Sequence, residues 1–176
     1  MEQSAYLTEP DSAAETATAE NTASATQAAA CVVEYAHARH AALPPHTTYA
    51  LLEYPEFVAV PGAARYAYGL LTWQGARVPL LNLNALLHAD ADAARAAPRY
   101  ALILAYQSAA RGPLGFGAIG LATLPRTLAV DDAALCALPD DSCLWPQLAL
   151  SCFQHEGYAV PILSTARLFA AYHGHA

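Results

Sequence analysis

A repeated hairpin constrains the fold of this chain more than any other feature of its sequence. The stretch Gln74–Leu81, QGARVPLL, is echoed 82 residues later by Glu156–Leu163, EGYAVPIL. Both copies keep a glycine, a Val-Pro pair and two aliphatic residues in the same order, and Arg167–Phe169 falls where Ala85–Leu87 stood. Similarity at a fixed separation indicates a repeated architecture. Two copies at this distance predict two similar β-rich subdomains rather than a solenoid.

The first copy belongs to the stretch Gly69–Leu87, which is typical of a β-hairpin followed by a short helical turn. Two extended runs flank the polar break Thr72–Gly75, and a tight glycine-containing break between such runs predicts a hairpin turn. Further extended runs follow at spacings of roughly ten residues, with turn signals between them, and Ser164–Tyr172 is predicted to form a closing helix. This pattern predicts small barrels or a sandwich.

Composition divides the chain into a tail and a folded part. Residues 1–28 carry five acidic residues, no basic residue and almost nothing large, so they cannot bury enough apolar surface to offset the entropy of ordering. We predict a disordered tail over 1–28 and a folded domain over 29–173. The polar, alanine-rich stretch 90–98 is predicted to link two subdomain halves, 29–89 and 99–173.

The overall composition favours a globular protein of the cytoplasm. Apolar residues make up 56% of the chain and charged residues 13%, which is ample for a core. No apolar run approaches the ~18 residues of a membrane helix, and the first residues lack the basic-then-apolar order of a secretory signal, so we expect a cytoplasmic protein. The net charge of −7 argues against a nucleic-acid partner, which requires a concentrated basic face.

The residues that could carry chemistry do not form a recognisable pattern. The four cysteines include no C-x-x-C, the tighter spacing that metal ligation or a redox pair usually shows, and Cys31 and Cys152 are predicted to be buried core residues. His37 and His40 lie across a predicted turn without the neighbours of a zinc site. Neither a nucleophile elbow nor a phosphate loop is present. We therefore predict no metal, no cofactor and no enzymatic activity.

The order of several short motifs resembles the CheW-like domain family, the coupling modules of bacterial chemosensory arrays. The matching pieces are Ala42-Leu43-Pro44, Val60-Pro61-Gly62, Tyr66, Gly69, Gly75, Val78-Pro79, Leu83 and Leu86-Leu87, then Leu114-Gly115, Gly157, Val160-Pro161 and Leu168. The resemblance covers about residues 30–172. It implies an all-β fold of two SH3-like, five-stranded β-barrels packed side by side, with short helices.

The resemblance also implies a function. A CheW-like protein is a non-enzymatic adaptor that joins a chemoreceptor or other sensor to the regulatory domain of a CheA-like histidine kinase, in chemotaxis or in type IV pilus motility. The alternative is a sensor that holds a small ligand or a nucleotide in the cleft between the barrels.

The same resemblance nominates interaction residues around the first hairpin. These are Thr48, Gly69, Trp73, Gln74, Gly75 and Arg77. Family members usually carry an arginine, implicated in receptor contact, where this chain has Gln74, and an aspartate where it has Asn82 and Ser164. Glutamine lacks the charge and the two-pronged donor of arginine, so the partner is expected to differ from an ordinary chemoreceptor.

Two tryptophans have alternative interpretations. Trp73 is either an exposed anchor or a side chain folded over the barrel end, whereas Trp145 is favoured as a plug over a core.

Overall fold

The computed structural model describes residues 27–88, 96–109 and 111–173. The helices are α1 (Leu83–His88), α2 (Trp145–Leu148) and α3 (Thr165–His173). The strands are β1 (Ala28–Ala36), β2 (Arg39–Leu43), β3 (Thr48–Glu53), β4 (Phe57–Val58), β5 (Ala67–Trp73), β6 (Ala76–Leu81), β7 (Tyr100–Gln107), β8 (Leu114–Leu121), β9 (Arg126–Val130), β10 (Ala149–His155) and β11 (Tyr158–Leu163).

These strands form two curled sheets, as the all-β prediction required. The first, here called the terminal sheet, has the order β10-β11-β2-β1-β9, and the second, the central sheet, has the order β3-β7-β8-β6-β5-β4. The central sheet has six strands rather than the five expected, because the two-residue strand β4 pairs with the outer edge of β5. The predicted two-part β architecture with short helices is confirmed.

The sheets do not divide at the predicted linker, so the prediction of halves 29–89 and 99–173 as separate subdomains needs correction. Strands β1 and β2 leave the first half to join β9, β10 and β11, while β7 and β8 join the strands of the first half. Four pairings join strands of the two halves: β11 with β2 and β6 with β8 are parallel, and β1 with β9 and β3 with β7 are antiparallel. Residues 1–26 and 89–95, which hold most of the predicted tail and linker, lie outside the described residues.

The repeated hairpin is present in both sheets with the same turn. Gln74 and Gly75 have φ values of 47° and 79°, and Glu156 and Gly157 have 49° and 84°. Two successive residues with positive φ define the type I′ turn, whose twist matches that of the paired strands. Glycine at the second position meets this requirement without strain, which explains why it returns in the sequence.

The repeat extends to features that the sequence comparison did not reveal. A β-bulge interrupts β5 between Ala67 and Gly69 and recurs in β10 between Ala149 and Ser151, at the same separation of 82 residues. Bulges bend a strand and increase its twist, so each hairpin curls at the same place.

Each hairpin also ends in the same helix cap. The Asn82 Oδ1 accepts a hydrogen bond from the Ala85 N–H at 3.1 Å, and the Ser164 Oγ accepts one from the Arg167 N–H at 3.3 Å. Asparagine, serine and aspartate are all good N-caps. The two departures from the family's aspartate therefore preserve a structural role, and they give no reason to expect a different partner.

The main core fills the space between the two sheets. In β7, Leu102 and Leu104 point into this core, whereas Ala101 and Ile103 point into a second cluster inside the central sheet. Both faces of the strand are buried, which is why the sequence of β7 is almost continuously apolar. Fully buried members of the main core are Val33, Ala41, Leu43, Leu81, Leu83, Leu104, Ile119, Leu121, Trp145, Leu163, Leu168 and Phe169.

Three side chains predicted to be buried lie in the interior. Cys31 and Cys152 are 8% and 3% exposed, and Trp145 is 1% exposed. The Trp145 indole N–H donates to the Asp141 Oδ1 at 2.7 Å, which satisfies its polar end. The interpretation of Trp145 as a plug over the core is confirmed.

The repeated caps give a test of the fold. Replacing Asn82 by alanine should lower the free energy of unfolding by about 1 kcal/mol, because the Ala85 N–H loses its acceptor. Asn82→Asp should retain most of that stability, since a carboxylate also caps and interacts favourably with a helix N-terminus.

Urea denaturation followed by circular dichroism measures both variants. Ser164→Ala is the matched control in the second hairpin and should lose a similar amount. Equal losses for Asn82→Ala and Asn82→Asp would contradict the capping role.

Candidate protein-interaction surface

The tip of the first hairpin presents three of the nominated residues to solvent. Gln74 and Gly75 form the turn, and Arg77 follows on β6, where it pairs with Thr72 across the hairpin. All three are exposed, and Arg77 makes no ion pair within the described part of the chain. The turn thus offers a glutamine amide and, two residues beyond the glycine, an unpaired guanidinium.

Trp73 folds back over the end of the central sheet. Its side chain is half-buried and packs against the second cluster, which includes Leu71, Val78 and Leu80. Its indole Nε1 is buried and finds no hydrogen-bond acceptor among the described residues. Trp73 is therefore a cover on the barrel end rather than a freely exposed anchor.

An aromatic contact connects Trp73 to the start of β3. The Tyr49 ring meets the Trp73 ring edge to face at a centroid distance of 6.4 Å and the Phe116 ring at 5.1 Å. Thr48, the preceding residue, is half-buried and donates its hydroxyl proton to the Pro45 carbonyl at 2.7 Å. The structure thereby brings the Thr48 region to the hairpin tip, with Tyr49 as the connecting side chain.

Gly69 lies apart from this group and has a structural role. It is buried near the start of β5, and its φ of 151° is one that residues with side chains rarely adopt. A Cβ atom there would overlap the Val58 carbonyl group. The backbone therefore demands glycine for close packing of β4 against β5, and the nomination of Gly69 as an interaction residue is not supported by its position.

The edge strand β3 and the residue directly after it carry an exposed apolar surface that the sequence motifs did not nominate. Tyr49, Leu51 and Tyr54 are 57%, 39% and 69% exposed, and we call these three residues the β3 edge surface. Strand β3 is the last strand of the central sheet on this side, so its outer backbone groups are unpaired in the sheet. Burial alternates along the strand, and its exposed face carries Tyr49 and Leu51 beside Glu53.

Charged groups border one end of the β3 edge surface. The Arg99 guanidinium donates to the Glu53 Oε1 at 3.3 Å and lies 5.8 Å from the centre of the Tyr54 ring. The hydrogen bond to Glu53 raises the pKa of Arg99, so this cation stays charged. An apolar centre with a polar border is the usual anatomy of a protein-binding patch.

A polar cluster between β1, α1 and the loop before α2 serves the fold. The His88 ring, whose side chain is 5% exposed, stacks on Tyr35 at 6.1 Å and lies 3.8 Å from the Asp141 carboxylate. Burial raises the pKa of Tyr35, which keeps its hydroxyl protonated. These contacts join α1 and the loop to the terminal sheet.

Within residues 27–88, 96–109 and 111–173, no group of three or more His, Cys, Asp or Glu side chains could hold a metal ion. None of the helices in those ranges is long and apolar enough to span a membrane.

Two curled sheets with an exposed strand edge and an exposed hairpin tip define the class of fold. The family described as CheW-like domain matches residues 31–172, which is most of the chain. The chain therefore belongs to the CheW-like domain family.

Solved structures agree with this assignment at the level of the fold. The chain is similar to the crystal structure of the scaffolding protein TtCheW from Thermoanaerobacter tengcongensis, with a TM-score of 0.64 and 11% identity over 82% of this chain and 93% of that one. No curated protein matches the sequence. Family membership makes the chain a scaffold or adaptor of the chemotaxis type, in agreement with the predicted class of function.

The structural role of Gly69 can be separated from a role in binding. Gly69→Ala should lower the free energy of unfolding by about 3 kcal/mol, because the new Cβ meets the Val58 carbonyl group and the backbone conformation is strained. Gly62→Ala is the matched control: its φ is also positive, at 77°, but its Cβ would meet open space, and the loss should be about 1 kcal/mol.

Thermal and urea denaturation measure both losses. If Gly69→Ala is as stable as the unaltered chain but binds a partner more weakly, the structural role is contradicted and Gly69 is an interaction residue.

Proposed function

We propose that this chain is a non-enzymatic cytoplasmic adaptor that couples a chemoreceptor or a divergent sensor to the regulatory domain of a CheA-like histidine kinase. The process served is chemotaxis or type IV pilus motility. The adaptor acts by surface complementarity alone, without metal or cofactor.

The observation that carries this proposal is the family match across both sheets combined with the β3 edge surface. Tyr49 and Leu51 expose apolar area on an edge strand, and Tyr54 does so directly after it. A partner can add both side-chain contacts and backbone hydrogen bonds there. Aromatic side chains at such positions contribute much of the binding energy in protein interfaces. We assign the kinase contact to this surface.

The receptor contact is assigned to the hairpin tip, next to the β3 edge surface. Gln74, Gly75 and Arg77 are exposed there, and the Tyr49–Trp73 contact fixes the tip relative to β3. A receptor bound at Gln74 would therefore lie close to a kinase bound at Tyr49, as a coupling function requires.

The alternative of a ligand sensor finds less support in the packing. The space between the sheets is filled by main-core side chains such as Leu43, Leu104 and Ile119, each 0% exposed. A ligand in that position would have to displace them, at a cost typical of core disruption. We therefore do not propose a ligand between the sheets.

Binding to the regulatory domain of the CheA-like kinase from the same organism tests the proposal. Leu51→Asp should weaken that binding at least tenfold, because a carboxylate would be buried against an apolar partner. Leu124→Asp is the matched control: Leu124 is 58% exposed and lies outside β3, and the change should leave binding intact. Isothermal titration calorimetry measures both affinities.

Two failures are distinguishable. Absence of binding by the unaltered chain at high micromolar concentration would reject the adaptor function. Binding that resists Leu51→Asp but is weakened by Leu124→Asp would reject the assignment to the β3 edge surface and keep the function.

The hairpin tip gives a separate test with the receptor. Gln74→Arg restores the residue that family members usually carry, and we expect at least a threefold gain in affinity for a receptor-tip fragment, since arginine adds charge and a two-pronged donor. Glu156→Arg is a close control, because Glu156 occupies the same position of the second type I′ turn, with a φ of 49° against 47°.

Surface plasmon resonance with both variants measures the difference. An equal gain from Glu156→Arg would indicate unspecific charge attraction. No gain from Gln74→Arg would remove the hairpin tip from the receptor contact.

A further inference from the structure

Two thiols that are distant in sequence meet in the terminal sheet. Cys136 and Cys152 are both free thiols. Their sulfur atoms lie 3.5 Å apart, and the Cys136 thiol donates to the Cys152 Sγ. Fifteen residues lie between them in the chain, so the fold rather than a local motif creates the contact. Cys31 and Cys143 make no such contact within the described residues.

The backbone around the two cysteines has the register of a disulfide site. An antiparallel bridge joins Leu135 to Phe153, so Cys136 lies directly opposite Cys152, and the Cys136 N–H donates to the Cys152 carbonyl at 3.0 Å. Directly opposed antiparallel residues have Cα atoms about 4.5–5.5 Å apart. Disulfides span Cα separations of about 4.4–6.8 Å, so closing the sulfur gap requires side-chain rotation and little backbone movement.

The contact lies where the terminal sheet closes on itself. Strands β9 and β10 are the two edges of that sheet. The segment that follows β9 crosses to β10 through the Leu135–Phe153 bridge and the Cys136–Cys152 hydrogen bond. A covalent bond at this point would fasten one edge of the curled sheet to the other.

The two thiols differ in environment. Cys152 is 3% exposed, and its burial, with a smaller contribution from the adjacent Cys136 thiol, raises the pKa of the Cys152 thiol to about 12. Cys152 therefore keeps its proton near neutral pH. Cys136 is only half-buried, so a small oxidant can reach it first.

We propose that Cys136 and Cys152 form an oxidation site at which a hydroperoxide converts the two thiols into a reversible disulfide. The Cys136 thiolate attacks the peroxide, so that an S–O bond forms, the O–O bond breaks and the alcohol or water leaves with a proton. The Cys152 sulfur then attacks the sulfenic acid of Cys136; the S–S bond forms, the S–O bond breaks and water leaves with the Cys152 proton. The thiols lose two electrons and the hydroperoxide gains them. A dithiol then reduces the Cys136–Cys152 disulfide back to two thiols and is itself oxidised to a disulfide.

Oxidation of the full-length chain with one equivalent of hydrogen peroxide tests the proposal. After alkylation under denaturing conditions and proteolysis, mass spectrometry should find one linked peptide pair joining Cys136 to Cys152, with Cys31 and Cys143 alkylated. Dithiothreitol should restore four alkylated thiols. The oxidised chain should melt about 5 °C higher than the reduced chain, because the bond closes a loop in the unfolded state.

Two variants complete the test. Cys143→Ser, which removes an exposed thiol of the same loop, should form the same linked pair. Cys136→Ser should form no linked pair, and oxidation should not raise its melting temperature. Linkage of Cys143 to either residue, or oxidation of Cys143 while Cys136 and Cys152 stay reduced, would overturn the proposal. This mapping uses the unaltered chain, so it holds even if a variant fails to fold.

Discussion

The architecture depends on pairings between strands from different halves of the chain, and two of these pairings are parallel. Leu80 of β6 lies beside Ala118 of β8, and Ile162 of β11 lies beside Ala42 of β2. Leu80 and Ile162 occupy equivalent positions, 82 residues apart. The second strand of each hairpin therefore pairs with a strand from the other half of the chain. Each sheet contains strands from both halves of the chain, so neither half can complete a sheet alone. The main core then forms between the sheets and joins them.

The sequence was informative about the local pieces and not about this exchange. The glycines at 75 and 157 indicated hairpin turns because a type I′ turn requires positive φ at two successive residues. The almost continuously apolar sequence of β7 is typical of a strand whose two faces are both buried. Contacts between residues far apart in the chain decide which strand each hairpin pairs with. Internal similarity shows that pieces are alike, but it does not specify their neighbours.

The interaction residues show the same division between local and distant information. The position of Gln74 at an exposed turn followed from the pattern around it. Gly69 was nominated from a motif, yet its glycine is required by the approach of Val58, which no spacing in the sequence expresses. Tyr49 was overlooked because its importance arises from rings that come from two other strands, Trp73 on β5 and Phe116 on β8. A motif therefore locates a surface better than it identifies the side chains that compose it.

The cysteines extend this argument from binding to chemistry. Redox pairs are usually sought at short spacing, because two thiols close in sequence are necessarily close in space. The two edges of the curled terminal sheet are β9 and β10, and the segment that follows β9 meets β10, so closure brings together residues that no short motif connects. Cys136 and Cys152 meet for this reason, at the place where closure relies on a bridge and a hydrogen bond rather than on a full strand pairing. A disulfide would stabilise the closed sheet most at such a sparsely paired junction, because few other contacts there oppose the separation of the two edges.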